Sequence, residues 1–230
     1  VLQVQREEAH MPGLSGLLVV AALLCAGFSA ALTLVRAQPD DFSGVRAFLG
    51  DGCELADQPC WAGIMPGRTR LDDALALLAH NPWIEALTLS EGAGSSSARW
   101  QWSADAPAFA HGPGAEQAEL WSVGGVVSYI ALPTSLPYGV LEQAIGPPPR
   151  GQFEVVGSAA APGGARSAYF LAAYQQSRMI VETRFTCPSA ARTLWAVPAR
   201  ITLFSASLMQ DAPFDDYDFL TWMYVSPCPR

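Results

Sequence analysis

The sequence predicts an α+β fold: two tandem units, each a short helix packed on an antiparallel meander, after an N-terminal hydrophobic helix. Three observations predict it. Leu14–Val35 is apolar throughout and about long enough to cross a bilayer. The best-marked helix of the chain, from about Arg70 to His80, is followed by three strand-like stretches. A second helix signal, Ser135–Pro149, is followed by three more. The order helix, strand, strand, strand thus occurs twice, a repeat of pattern rather than of residue identity. The expected boundaries are an extension plus anchor or signal over 1–37, a linker over 38–52, a first unit over 53–132, and a second unit with its tail over 133–230.

Half of the 230 residues are apolar, which is enough to build a core. The net charge of -8 argues against a nucleic-acid partner, which calls for a basic patch. All 13 basic side chains are Arg and Asn occurs once. A GC-rich coding bias accounts for both, so the arginines are not read as chosen for bidentate recognition.

Val1–His10 is polar and precedes Met11, the internal start that the pattern favours. Leu14–Val35 reads either as an uncleaved anchor or as a signal peptide with small-residue cleavage sites at Ser29-Ala30-Ala31 and Val35-Arg36-Ala37. Cys25 follows Leu24, where a lipobox wants a small residue, so lipidation is disfavoured. Anchor and signal both send the remainder out of the cytoplasm. In that compartment the four later cysteines, Cys53, Cys60, Cys187 and Cys228, read as two disulfides. Three pairings are open. Cys53–Cys60 with Cys187–Cys228 is preferred, because the first pair closes a short loop beside Pro59. No C-x-x-C pair occurs and no His lies close to a cysteine, which disfavours a metal or redox site.

Gln38–Gly50 reads as a linker with one amphipathic turn at Val45–Leu49. Thr69 is the expected N-cap of the first helix, with Asp72 three residues on and Asp73 at the positive end of the helix dipole. Leu71, Ala74, Leu75 and Leu78 form its apolar face. Asn81, in a left-handed conformation, and Pro82 stop it. Trp83–Leu89 reads as a strand and Glu91–Ser97 as a loop. Arg99–Ser103 alternates, with Trp100 and Trp102 on one face. Ala104–Glu119 reads as an exposed loop, and Leu120–Leu132 as one long strand with a bulge at Gly124-Gly125.

In the second helix Ser135 is the expected cap, Pro137 suits the first turn, and Gly146 with three prolines ends it. Gln152–Ser158, Ala168–Tyr174 and Met179–Thr186 read as strands. Ile201–Ser205 fits another strand, and Phe219–Val225 an apolar tail held by Cys228.

A G-x-T turn before a short helix, closed by L-G-x-P and followed by an antiparallel meander, resembles the BamE/SmpA-like and beta-lactamase-inhibitor-protein-like folds. The first unit offers Pro66-Gly67-Arg68-Thr69 and the second Ala144-Ile145-Gly146-Pro147. The second unit lacks the G-x-T turn and the first lacks the closing G-x-P. Pro59–Gly67, P-C-W-x-G-I-x-P-G, also resembles a group of exported proteins of filamentous Chloroflexi-type bacteria. The resemblance spans roughly Cys53–Thr186 and implies protein-binding or envelope-assembly roles, with no catalytic residues.

The residues themselves offer little chemistry. His10, His80 and His111 have no nucleophile in a recognisable arrangement. Ser95-Ser96-Ser97 has no G-x-S-x-G elbow. Asp211, Asp215, Asp216 and Asp218 lack the Gly and distal Glu of an EF-hand loop and read as a solvated acidic loop. The seven tryptophans are mostly expected in the core, with Trp100, Trp102 and Trp121 as the candidate binding surface on a sheet face. The expected function is a non-catalytic, extracytoplasmic protein-binding module without a cofactor, an accessory or assembly subunit of an envelope complex. Its partner is a protein of the cell envelope, and Leu14–Val35 holds it to the membrane if uncleaved. The alternative is a secreted inhibitor of an extracellular enzyme, released after Ala31 or Ala37. A third reading is a hydrolase whose site is assembled from scattered acids in a pocket.

Overall fold

The computed structural model describes residues 14–36, 42–50, 53, 60–114, 116–156, 167–174, 178–187, 191–209 and 215–216. The chain divides into two compact units, Val1–Asp41 and Phe42–Arg230. The first contains helix α1, Leu14–Arg36. Its described side chains include Val19, Val20, Leu23, Leu24 and Phe28, all exposed. Among the described residues no helix is long and apolar enough to cross a membrane.

The second unit is mixed α and β, built on an antiparallel sheet. The strands are β1 (Ile84–Gly92), β2 (Ser95–Trp102), β3 (Ala118–Val123), β4 (Val126–Pro137), β5 (Arg150–Val156), β6 (Ser167–Tyr174), β7 (Met179–Thr186) and β8 (Pro198–Phe204), with a two-residue β9 (Asp215–Asp216). Their order is β1-β2-β3-β4-β8-β7-β6-β5-β9. Strands β1 to β4 follow one another as hairpins, and so do β5 to β8. The two runs meet where β4 pairs with β8, with Ile130 opposite Leu203 and Leu132 opposite Ile201. The Thr134 hydroxyl donates to the Ala199 carbonyl at 2.6 Å across that seam. The boundary expected after Leu132 therefore falls inside β4.

Helices α2 (Phe42–Gly50), α3 (Leu71–His80) and α4 (Tyr138–Ile145) share one core cluster with Trp100, Leu120, Ile130, Ile201, Val181 and Phe170. Alternation along each strand puts those residues on one sheet face, which the helices cover. Helix α2 stands where a linker was expected. Its sequence is short and holds two glycines, so propensity alone does not favour it. Packing supplies the difference. Phe48 is fully buried and touches the rings of Trp61, Trp83, Trp102 and Phe109, at 5.4 to 5.9 Å between centroids. Arg46 Nε also donates to the Ala144 carbonyl at 2.9 Å, at the C-terminal end of α4 where a cation is favoured.

Several local expectations are corrected. Thr69 does not cap α3; Arg70 is the N-cap residue, without a side-chain bond, and the Thr69 hydroxyl accepts from the Met65 N–H at 2.8 Å. Asn81 is extended, not left-handed, and its Oδ1 accepts from the Trp83 N–H. Ser135 lies in β4, and Pro137 takes the N-cap position of α4. Gly146 ends α4 as expected, at φ 91°, with its N–H on the Glu142 carbonyl. Gly124 and Gly125 do not bulge one strand. Both have positive φ, 60° and 77°, and form the turn between β3 and β4. The register of this hairpin shifts at Trp121/Ser122 instead. The expected exposed loop Ala104–Glu119 is corrected too: a 3₁₀ turn at Ala108–Ala110 buries Ala110, and β3 already begins at Ala118.

Cys53 and Cys60 are disulfide-bonded, with Cα atoms 5.7 Å apart. Cys187 is disulfide-bonded as well. Its expected partner Cys228, the tail Phe219–Val225, Asp211 and Asp218 lie outside the described residues.

Candidate binding face

Pairing across the sheet decides which tryptophans share a side, because directly opposed residues point the same way. Leu120 pairs with Ala98, and Ala118 with Trp100, so all of these face the helices. Trp100 is fully buried and Trp102 nearly so. Trp100 stacks on Trp61 at 5.5 Å with an interplanar angle of 10°. The expectation that Trp100 and Trp102 share one face holds, but it is the covered face, and neither belongs to a binding surface. Trp121 pairs with Ser97 and Tyr129, on the opposite side.

That opposite side carries the candidate site. Tyr129 pairs with Trp121 on one side and Phe204 on the other, so one row crosses β3, β4 and β8. Trp121 and Tyr129 are parallel within 1° at 6.4 Å, and Tyr129 and Phe204 lie 6.0 Å apart. All three rings are half-buried, and Val123 beside them is 58% exposed.

On the same face, two residues from Trp121 along β3 and four from Phe204 along β8, lies an ionic group. Glu119 accepts from Arg200 on β8 at 2.8 Å and from Arg99 on β2 at 3.4 Å. The Tyr129 hydroxyl donates to Glu119 at 3.5 Å. Burial, with the Glu119 charge behind it, raises the Tyr129 pKa, so the phenol stays protonated and a donor. Tyr129 thus links the aromatic row to the ionic group.

Beyond Arg200 the same face sinks into a cavity of about 410 Å³, lined by Glu116, Glu182, Tyr169, Arg184 and Arg200 among others. Arg184 lies over the Tyr169 ring, 5.4 Å from its centroid. Burial raises the Glu182 pKa; Arg200 works against that shift, and Glu116 adds to it.

The other expected positions gather into no site. His80 sits on the exposed end of α3 with Nδ1 2.7 Å from the Ala76 carbonyl oxygen, and His111 is exposed in its loop. Ser95, Ser96 and Ser97 lie within β2, pairing with β1 and β3, rather than in a loop. Asp215 and Asp216 pair with β5 by backbone. Among the described residues no three His, Cys, Asp or Glu side chains cluster as metal ligands. Sequence reasoning missed Tyr129, Phe204, Glu119, Glu182 and Arg200. The alternation of R-I-T-L-F in β8 was a usable signal for two faces, but the strand that β8 joins was not readable.

No protein-family model, no curated protein and no solved structure matches this chain.

Proposed function

We propose that this chain is a non-catalytic, extracytoplasmic protein-binding module that serves as an accessory or assembly subunit of a cell-envelope complex. The observation that carries this is the Trp121–Tyr129–Phe204 row on the sheet face opposite the helices. Aromatic side chains flanked by a satisfied ionic network are the composition of interface centres. A partner laid over them gains apolar burial without stripping an unpaired charge.

Further features support the reading. Helix α3 precedes the β1–β4 run and α4 precedes the β5–β8 run, and the last strands of the two runs are neighbours. This order favours two tandem helix–meander units, and with them the BamE/SmpA-like or beta-lactamase-inhibitor-protein-like resemblance. Each unit then has four strands rather than three. The apolar run Leu14–Val35 suits an export signal or an attachment at the membrane, and the Cys53–Cys60 disulfide fits an oxidising compartment.

The test is a mild-detergent pull-down of the tagged chain from its native membranes, with mass spectrometry of its companions and of its own N-terminus. The expected result is a stoichiometric membrane partner, with Leu14–Val35 retained and capture lost in Trp121→Ala. A lone chain beginning at Leu32 or Gln38 would overturn the accessory-subunit reading and move a released enzyme inhibitor ahead of it.

A further inference from the structure

We propose that the cavity lined by Pro113, Glu116 and Glu182 is the socket for a basic side chain of the protein partner, gripped by Glu182 with help from Glu116. This rests on the aromatic face being the docking face, and it names what the partner must bring to that face.

Pairing places the cavity there. Glu182 pairs with Arg200, and Arg200 with Pro133, in the series that puts Thr202 and Phe204 on the same side. Pro113 and Glu116 contribute to the lining of the cavity. A partner lying along β8 over Phe204 thus reaches the opening within two strand steps.

The charges in the cavity are not equivalent. Arg200 is committed to Glu119 at 2.8 Å. Arg184 is occupied by the Tyr169 ring and by Ser167 Oγ at 3.5 Å. Glu182 is half-buried, yet among the described residues it makes no hydrogen bond and no ion pair. The charges of Arg200 and Arg184 favour its ionised form, but neither side chain bonds it, so a half-buried carboxylate without a direct contact still gains from a cation. An anion would instead have to displace Glu119 or Tyr169 and sit beside the carboxylates of Glu182 and Glu116. The walls suit the same guest. Pro113, Pro133, Val197 and Pro198 offer apolar surface to the methylene stem of Arg or Lys, while Glu182 and Glu116 meet its head. The net charge of -8 works in the same direction at long range, by steering a basic partner in.

The experiment uses the full chain in mild detergent and two probes, acetyl-Gly-Arg-Gly-amide and the same peptide with citrulline, which keeps the shape and lacks the charge. Binding is read by calorimetric titration. The arginine peptide is expected to saturate, and to bind about tenfold more weakly to Glu182→Gln and about threefold more weakly to Glu116→Gln, the loss that one charge-assisted contact carries. The citrulline peptide is expected to bind at least about tenfold more weakly than the arginine peptide. No binding of the arginine peptide, equal binding of the two peptides, or an unaffected Glu182→Gln variant would each overturn the socket. If Glu182→Gln does not fold, the two peptides on the unchanged chain still decide. Partner capture separates the two proposals. Capture lost in Trp121→Ala but unchanged in Glu182→Gln leaves the docking face standing and removes the socket. Absence of any partner of the unchanged chain removes the docking face, and the peptides then decide the socket by themselves.

Discussion

Trp100 and Trp121 lie on neighbouring strands of one sheet, yet their surroundings follow different rules. On the covered face, Trp61, Trp100, Trp102 and Phe48 pack ring against ring, and the indole nitrogens of all three tryptophans are buried without a partner among the described residues. Each such orphaned donor costs about 1–3 kcal/mol. Apolar burial of rings this size more than offsets it, because each removes roughly 150–250 Å² from water at about 25 cal/mol per Å². On the open face the polar tip is kept and the ring is not fully buried: Tyr129 donates to Glu119, Glu119 pairs with two arginines, and Trp121 remains half-exposed. One aromatic cluster gives up hydrogen bonds for density. The other gives up density and keeps its polar groups satisfied, as a surface ready for a second molecule does.

Substitutions that treat the two faces alike should therefore give unlike results. The largest effect is expected for Trp100→Ala, which empties the centre of the covered cluster and should cost about 3–5 kcal/mol in chemical denaturation. A loss under about 1 kcal/mol would break the comparison, since it would mean the covered cluster is not the core. Next comes Cys53→Ser with Cys60→Ser. The disulfide closes a loop over a sequence separation of 7 and ends next to the buried Trp61. Its removal should cost about 2 kcal/mol and lower the melting temperature, and an unchanged melting temperature would show that Trp61 is held by packing alone. Trp121→Ala should cost only about 1 kcal/mol, the worth of its stack on Tyr129, while partner capture falls. A folded variant that still captures its partner would erase the functional half of the contrast.

The smallest effect concerns pH. Glu142 on α4 has its pKa raised from the usual 4.5 by burial, and the nearby Tyr138 hydroxyl pulls the other way. The folded chain thus holds this proton more tightly than the unfolded chain. The stability that this group contributes is present in acid, and is lost as the pH rises past about 4.5 and through the folded value. Glu142→Gln should remove that loss, so the variant gains on the natural chain between pH 4 and pH 7 in paired melting curves. Parallel curves across that range would show that the carboxyl is well solvated.

What the sequence made legible follows from the range of the forces involved. Helix α3 and strands β6 and β7 rest on local periodicity, and they stand where periodicity puts them, whereas β2 starts four residues before the alternating stretch Arg99–Ser103, inside the expected loop. Helix α2 depends on Phe48 meeting rings up to 61 residues away, so no local signal announced it. Alternation placed Trp100 and Trp102 together, but the choice of covered side belongs to α2, α3 and α4. The run Leu120–Leu132 hid its turn because apolar residues continue through it on both sides of Gly124-Gly125. The candidate face was the least legible part. Glu119 meets Arg200 only because β4 and β8 are neighbours, which is a fact of strand order rather than of any single stretch.

The β4–β8 seam also sets a timetable. Tyr129 waits for Phe204, about 75 residues later in synthesis. At roughly 5–20 residues per second that is an interval of about 4–15 s, during which the β1–β4 run can already form its hairpins while β4 has an unsatisfied edge. The edge is strongly apolar, with Ile130, Ala131 and Leu132 in succession. It is the kind of strand that recruits a second nascent chain if its own mate is late. A chain that stops short of Pro198 would carry that edge permanently, so premature termination in the second half would yield a sticky product rather than a smaller working one.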